Sequence, residues 1–200
     1  MSRHGKYARR FGWLLLLIAL VSLMGYALYW AVDSGKLTRN LQPVDDTRYE
    51  KEIAAAAARY GIRVELVRAL IRRESRFVAD AVDSKGEIGL MQILPGGAAA
   101  EWARVNKQQA PSEYELFDVE TNLNIGCWFL ARALRRWKDY RHGTELALAE
   151  YNAGATNAHR WKPRNRDGKV IPRITFPGTK EYVTVIMRYY RQELEKNTLR

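Results

Sequence analysis

The chain has 200 residues, with 33 Lys or Arg against 22 Asp or Glu and a formal charge of +11. That length suits one domain with appendages rather than several domains. A single cysteine, Cys127, excludes an internal disulfide, and one Cys with three scattered His leaves no metal-ligand cluster, so neither metal nor cofactor is expected.

The first element is apolar. Phe11 to Val32, FGWLLLLIALVSLMGYALYWAV, carries no charge. At about 1.5 Å per residue it is long enough to cross a hydrocarbon core roughly 30 Å thick. Arg3, Lys6, Arg9 and Arg10 precede it, and Trp13, Tyr26, Tyr29 and Trp30 lie near its ends, where interfacial aromatics belong. The basic flank orients residues 1–10 to the cytoplasm and residues 33–200 to the far side. The rival reading is a cleaved signal peptide, whose apolar core is about 7–15 residues and ends at small residues. The run here is longer, and bulky residues in YALYWAVDSG occupy the place of that site, which favours an uncleaved anchor. Either reading exports the domain. The expected arrangement is a cytoplasmic tail (1–10), a single inner-membrane span (11–32), a linker (33–45) and a periplasmic domain (46–196).

Charge is segregated along the exported part. Residues 33–155 hold 18 Lys or Arg and 18 Asp or Glu, while residues 156–200 hold 11 and 4. Nucleic acid is not an expected partner for an exported domain. An anionic wall polymer, a membrane surface or plain solvation of a basic tail all fit this distribution.

Beyond the linker the pattern is helical. TRYEKEIAAAAARYG is rich in Ala and stops at Gly61. RVELVRALIRRES places Val67, Leu70, Ile71 and Glu74 on one face. PGGAAAEWARV begins a helix near Pro95. DVETNLNIGCWFLARALRRWKDY is the longest candidate, with Leu123, Trp128, Leu130, Leu134 and Trp137 apolar and Cys127 in a core context. TELALAEYNAG stops at Gly154, and TKEYVTVIMRYYRQELEK carries the stripe Val183, Ile186, Tyr190 and Leu194. The intervening KPRNRDGKVIPRITFPG reads as a loop, part of it compatible with a short hairpin. No run alternates long enough for a sheet, so the domain is expected to be all-α.

Glu74 is the candidate acid. It extends an apolar stripe while Arg72 and Arg73 point away. Burial there favours the protonated form, which a general acid needs near neutral pH. A Glu at a frayed helix end, paired with Arg76 or with an incoming loop, is the structural alternative. In SKGEIGLMQILP, Gly86 and Gly89 suit tight turns, and Gln92 offers a donor and an acceptor to sugar hydroxyls and amides. In AEYNAG, the Tyr151 ring suits a pyranose and the Asn152 amide an N-acetyl group, although both are also ordinary helix-end residues.

Taken in order, RRESRF, GEIGLMQILP, LFDVETNLNIGCWFL, ALAEYNAG and GTKEYV resemble the catalytic domain of family 1, soluble-type (SLT) lytic transglycosylases, related in fold to goose-type lysozyme. The resemblance covers roughly residues 50–195. It implies a lysozyme-like helical domain that cleaves the MurNAc-β-1,4-GlcNAc bond of peptidoglycan glycan strands without water and leaves a 1,6-anhydromuramoyl end. Glu74 and Ser75 match the Glu-Ser pair, Gly89 to Gln92 the GLMQ block, Tyr151 and Asn152 the AYNAG block, and Tyr182 and Val183 the final Tyr-Val. The resemblance thus implies Glu74 as catalytic acid, with Ser75, Met91, Gln92, Tyr151, Asn152 and Tyr182 around the substrate. Tyr182 either hydrogen-bonds Glu74 or packs in the core. The chain departs from the family at Val78 and Ala79 (usually Asn-Pro), Glu87 (usually Ala) and Gly178 (usually Glu). Asp83 replaces a common substrate-binding Ser, leaving Ser84 beside it as the candidate contact. A hydrolytic muramidase and a non-catalytic wall-binding scaffold are the alternative functions. Asp83, Glu87 and Glu150 are the possible second acids, since hydrolases ordinarily use two.

Overall fold

The computed structural model describes residues 20–26 and 45–198. The chain divides into two units, Met1–Val44 and Asp45–Arg200. In the first, residues 20–26 are helical and exposed. The tail, the linker up to residue 44 and most of the expected span lie outside the described residues. Among the described residues no helix is long and apolar enough to cross a membrane.

In the second unit the helices are α1 (Glu50–Tyr60), α2 (Val64–Glu74), α3 (Ala100–Asn106), α4 (Val119–Arg136), α5 (Gly143–Ala153), α6 (Ala155–Trp161) and α7 (Pro177–Thr198). No strand occurs among the described residues, and two isolated bridges, Val82↔Ile88 and Ile88↔Ile93, fold residues 82–93 into a compact double turn. α1 ends where Gly61 takes a left-handed conformation (φ 64°) and its N–H caps the helix carbonyls. α4 starts where the Asp118 side chain accepts the Thr121 N–H at 2.8 Å.

α5 is the centre. Leu146, Ala147, Leu148 and Ala149 are successive and fully buried, so the middle turn of this helix is enclosed on every side. It packs against α4, α6 and α7, and α2 lies along α7. The α2 stripe is realised: Val67, Leu70 and Ile71 are fully buried, each contributing about 1.5–3 kcal/mol of transfer free energy. Its opposite face meets α7 through polar contacts. Arg72 stacks on the Tyr189 ring at 4.3 Å, and Arg73 pairs with Glu181 at 3.2 Å.

The structure departs from the sequence reading in four places. α4 stops at Arg136, because Trp137 turns its ring into the core and its indole N–H donates to Glu150 at 2.7 Å. The segment opening at Pro95 begins as a wide π-helical turn, Pro95–Ala99, before α3. Gly154 (φ 81°) does not end the helical region: it caps α5 and redirects the chain into α6, which the sequence pattern left unassigned. The loop after α6 holds a short 3-10 turn, Ile171–Arg173, and no hairpin. Pro163 and Pro172 lack the N–H groups that a ladder needs, and Val170 and Ile174 anchor the loop by burial instead.

Candidate active site

Glu74 is the last residue of α2. The next turns leave the helix sharply, with Arg76 (φ 55°) and Phe77 (φ 63°) both left-handed. Such backbone costs about 1–3 kcal/mol per residue and persists where surroundings enforce it. Phe77 is buried and lies under the Arg68 guanidinium at 5.6 Å, which holds the turn. Ser75, also buried, donates its hydroxyl to the Leu90 carbonyl at 2.9 Å. The end of α2 is thereby tied to the GLMQ turn.

That turn is tied in turn to α4 through Asn122, which is 1 % exposed. Its carboxamide oxygen accepts the Met91 N–H, and its NH₂ donates to the Ile88 and Leu116 carbonyls, all at 2.8 Å. Gly89 (φ 79°) faces this amide so closely that a Cβ would collide with it. Gly126 does the same for Met91, whose side chain fills the space a methyl would need. Asn122 was not singled out from sequence. Its signal was its place on the buried face of α4, one turn before Ile125 and Gly126.

Over Glu74 stands Tyr182 from α7, itself 3 % exposed, whose hydroxyl donates to the Glu74 Oε1. Part of the Glu74 side chain remains open to solvent, yet protein atoms surround it closely enough for desolvation to dominate. Burial pushes its pKa up to about 7; the Tyr182 hydrogen bond and the Arg73 and Lys85 charges pull it down, while the Glu87 charge adds to the rise. Its position at the negative end of the α2 dipole also disfavours the carboxylate. Burial and the Glu74 charge hold Tyr182 well above its ordinary range, so it stays a phenol and a donor.

A cavity of about 380 Å³ has Glu87, Gln92, Tyr151, Gly154 and the Glu101–Arg132 ion pair (2.6 Å) on its walls; Glu74 is not among its lining residues, and Tyr151, which feels the Glu74 charge, lies between the two. Tyr151 donates to the Met91 carbonyl at 3.0 Å, which fixes its ring at the cavity wall. Gln92 (φ 49°) spends its NH₂ on the Ala81 and Gly89 carbonyls, at 3.2 and 2.9 Å. Asn152 is exposed, and its side-chain oxygen accepts the Thr179 hydroxyl at 2.7 Å. Ser84 is exposed on the loop and does not line the cavity. Met91 is fully buried against Gly126 and Cys127, away from the cavity wall. The expected residues therefore divide: Gln92 and Tyr151 face the cavity, while Ser75 and Met91 brace the turn behind it. Glu150 lines the cavity too, but its carboxylate is engaged by Trp137 at 2.7 Å and Arg136 at 3.5 Å.

A helical domain with a protonatable glutamate at a helix end, beside a cleft and a β-like turn, defines a lysozyme-like class. The chain matches the family described as Transglycosylase SLT domain over residues 51–173, and it belongs to that family. It is 38% identical over 80 residues to membrane-bound lytic murein transglycosylase E of Buchnera aphidicola, covering 40% of this chain and 36% of that protein. It is 30% identical over 126 residues to soluble lytic murein transglycosylase of Escherichia coli K12, covering 60% and 19%. The crystal structure of the 70 kDa soluble lytic transglycosylase from Escherichia coli is similar with a TM-score of 0.65 at 26% identity, over 72% of this chain and 24% of that one. The alignments thus span 36% and 19% of the curated relatives' own lengths.

Proposed function

We propose that this protein is a lytic transglycosylase of peptidoglycan, with Glu74 acting first as general acid and then as general base. Glu74 protonates the glycosidic oxygen between N-acetylmuramic acid and N-acetylglucosamine as the C1–O bond breaks. The 2-acetamido group stabilises the positive centre. The Glu74 carboxylate then takes the proton of the C6 hydroxyl as that oxygen bonds to C1, giving the 1,6-anhydro end with no water consumed. The observation that carries this reading is the enclosed Glu74 carboxyl, pushed up to about 7 by burial, with the Tyr182 phenol donating to it. A group poised near neutral pH serves both proton transfers.

Gln92 and Tyr151 supply the sugar-facing surface, with Asn152 at its rim. Ser75, Met91 and Asn122 hold the turn that carries Gln92. Tyr182 orients the acid. Ser84 is left for a glycan strand that overhangs the loop. No cofactor enters the scheme.

The activity is proposed for a domain of 46–196 anchored through residues 11–32 in the inner membrane, with the domain in the periplasm and residues 1–10 in the cytoplasm. The uncharged run and its basic flank support this, as does the membrane-bound name of the Buchnera relative. Protease added to spheroplasts should digest the domain, and its protection would contradict the topology. The reaction itself is tested by mass spectrometry of fragments released from purified sacculi. The expected muropeptides end in anhydromuramic acid, one water lighter than a muramidase product. Reducing ends alone would assign hydrolysis, and no release at all would assign a binding scaffold.

A further inference from the structure

We infer that the basic loop after α6 is a second binding surface for the wall polymer: Lys162, Arg164, Arg166 and Lys169, joined by Lys138 and Arg141 of the turn before α5, take the free carboxylates of peptidoglycan peptide stems. The inference rests on peptidoglycan being the substrate, and it assigns the stems rather than the sugars to this loop.

All six residues are exposed, and the acids of the two segments are Asp139 and Asp167. Among the described residues none of the six side chains makes an ion pair or a hydrogen bond. Glu145, at the start of α5, is engaged with His142 at 3.1 Å. The loop itself is fixed. The Asn165 Oδ1 accepts the Asp167 N–H at 3.1 Å, and the Asn165 carbonyl accepts the Gly168 N–H at 3.0 Å. Gly168 faces Pro163 so closely that a Cβ would collide with that ring. The Arg173 guanidinium donates to the Trp161 carbonyl at 2.9 Å, and the Trp161 indole N–H donates to the Thr175 hydroxyl at 3.0 Å. Both ends of the loop are thereby pinned together beside the start of α7. The Arg141 N–H donates to the Arg166 carbonyl at 2.9 Å and joins the two basic segments. The cations stand on a frame set before any ligand arrives, so binding has only side chains to order.

Position decides what the patch meets. α6 opens at Ala155 on the cavity wall and ends at Trp161, where the loop begins about 10 Å further on. A peptide stem of about three to five residues spans at most roughly 10–18 Å when extended. A stem on a sugar held at Gln92 and Tyr151 therefore reaches the loop. A lipid surface fits the position less well. Asp46, the second residue of this unit, is held by Lys196 at 3.1 Å near the end of α7, whereas the loop meets its first turn. Those ends lie roughly 30 Å apart along the helix. A membrane tether joined at Asp45 thus enters at the opposite end from the patch. Contacts between exposed opposite charges are individually weak and screened by salt, and they gain strength by number.

The test is co-sedimentation of the full chain, carried in phosphatidylcholine nanodiscs, with purified sacculi. Glu74→Gln is present throughout to keep the sacculi intact. Adding Arg164→Gln, Arg166→Gln and Lys169→Gln together should weaken binding about tenfold at low salt. The two proteins should converge as added NaCl screens the contacts. Converting sacculus carboxylates to neutral amides with carbodiimide and ammonia should weaken the parent and leave the triple variant nearly unchanged. Melting temperatures check the fold, and Lys138→Gln with Arg141→Gln should weaken binding in the same direction should the triple variant fold poorly. Equal binding by parent and folded variant, or an equal loss by both on amidated sacculi, overturns the inference. Displacement of the parent from sacculi by phosphatidylglycerol vesicles, and not by phosphatidylcholine vesicles, would assign the patch to a lipid surface and overturn it as well. Binding needs no turnover, so carboxylate-dependent binding in a protein whose Glu74 form releases no anhydro ends upholds this inference while refuting the proposed reaction.

Discussion

Replacing Tyr182 with phenylalanine removes the hydroxyl that donates to Glu74 while keeping the buried ring. That hydrogen bond favours the carboxylate, so its loss should raise the Glu74 pKa further above about 7. The alkaline limb of the pH–rate profile of Tyr182→Phe should therefore move to higher pH, even as the plateau falls because the acid is less well aimed. Initial rates on sacculi across pH 5 to 9 measure both effects, and a downward-moving limb would contradict the assignment. Stability carries the same signature. Glu74 is raised from 4.5 to about 7, so between those values the native state binds more protons than the unfolded one. Stability then falls as pH rises through this window, by an upper bound of about 3 kcal/mol. Glu74→Gln should lack that decline, and melting temperatures at pH 5 and pH 8 read the difference directly.

At the scale of elements, the site depends on a short turn held from three sides. Asn122→Ala would strand the Met91 N–H and the Ile88 and Leu116 carbonyls in a buried setting. Unmet groups of this kind cost about 1–3 kcal/mol each. A loss of about 3 kcal/mol or more, measured by denaturant titration, is expected, with activity falling because the Tyr151 partner carbonyl of Met91 shifts. These dependences also explain what the sequence made legible. The α2 stripe was readable because a helix repeats its faces locally, and Glu74 continued the stripe. The end of α1 was readable because Gly61 takes a conformation that few other residues accept. Asn122 was not, because its partner Ile88 lies 34 residues away and nothing local marks the amide as a brace. The helix α6 was missed for a related reason. Gly154 looks like a stop, and the partners that hold the helix after it are distant in sequence: His159 meets the Trp137 ring, and Trp161 bonds Thr175 and Arg173. Gln92 was expected to offer both halves of its amide to sugar, but its NH₂ holds the turn, a bond that depends on a left-handed φ.

At the scale of the whole domain, its first residues are fastened to its last helix by charge. Arg68 pairs with Glu193 at 2.9 Å, Asp46 at 3.6 Å and Glu50 at 3.8 Å, and Lys196 bridges Asp46 and Glu193 at 3.1 and 2.9 Å. Burial works against the ionised forms of Asp46 and Glu193, but the Lys196 hydrogen bonds and the Arg68 charge outweigh it and hold both pKa values below the ordinary range. Their contribution is fully present above the unfolded values of 3.8 and 4.5 and is lost as pH falls through the folded ones. Arg68→Met should cost about 2 kcal/mol at pH 7, less than a fully buried pair because Lys196 remains, and the cost should shrink in acid. With Glu74 acting in the opposite sense, thermal stability should peak on the acid side of neutrality. The account turns on one carboxyl making both proton transfers. Its most direct test is the release of anhydromuropeptides from sacculi by Glu74→Gln. General acid–base help is worth about 10²–10⁴-fold, and a sole acid should lie at or beyond the upper end. The variant should therefore bind sacculi, melt no lower than the parent and release almost nothing, whereas turnover near that of the parent would contradict the account.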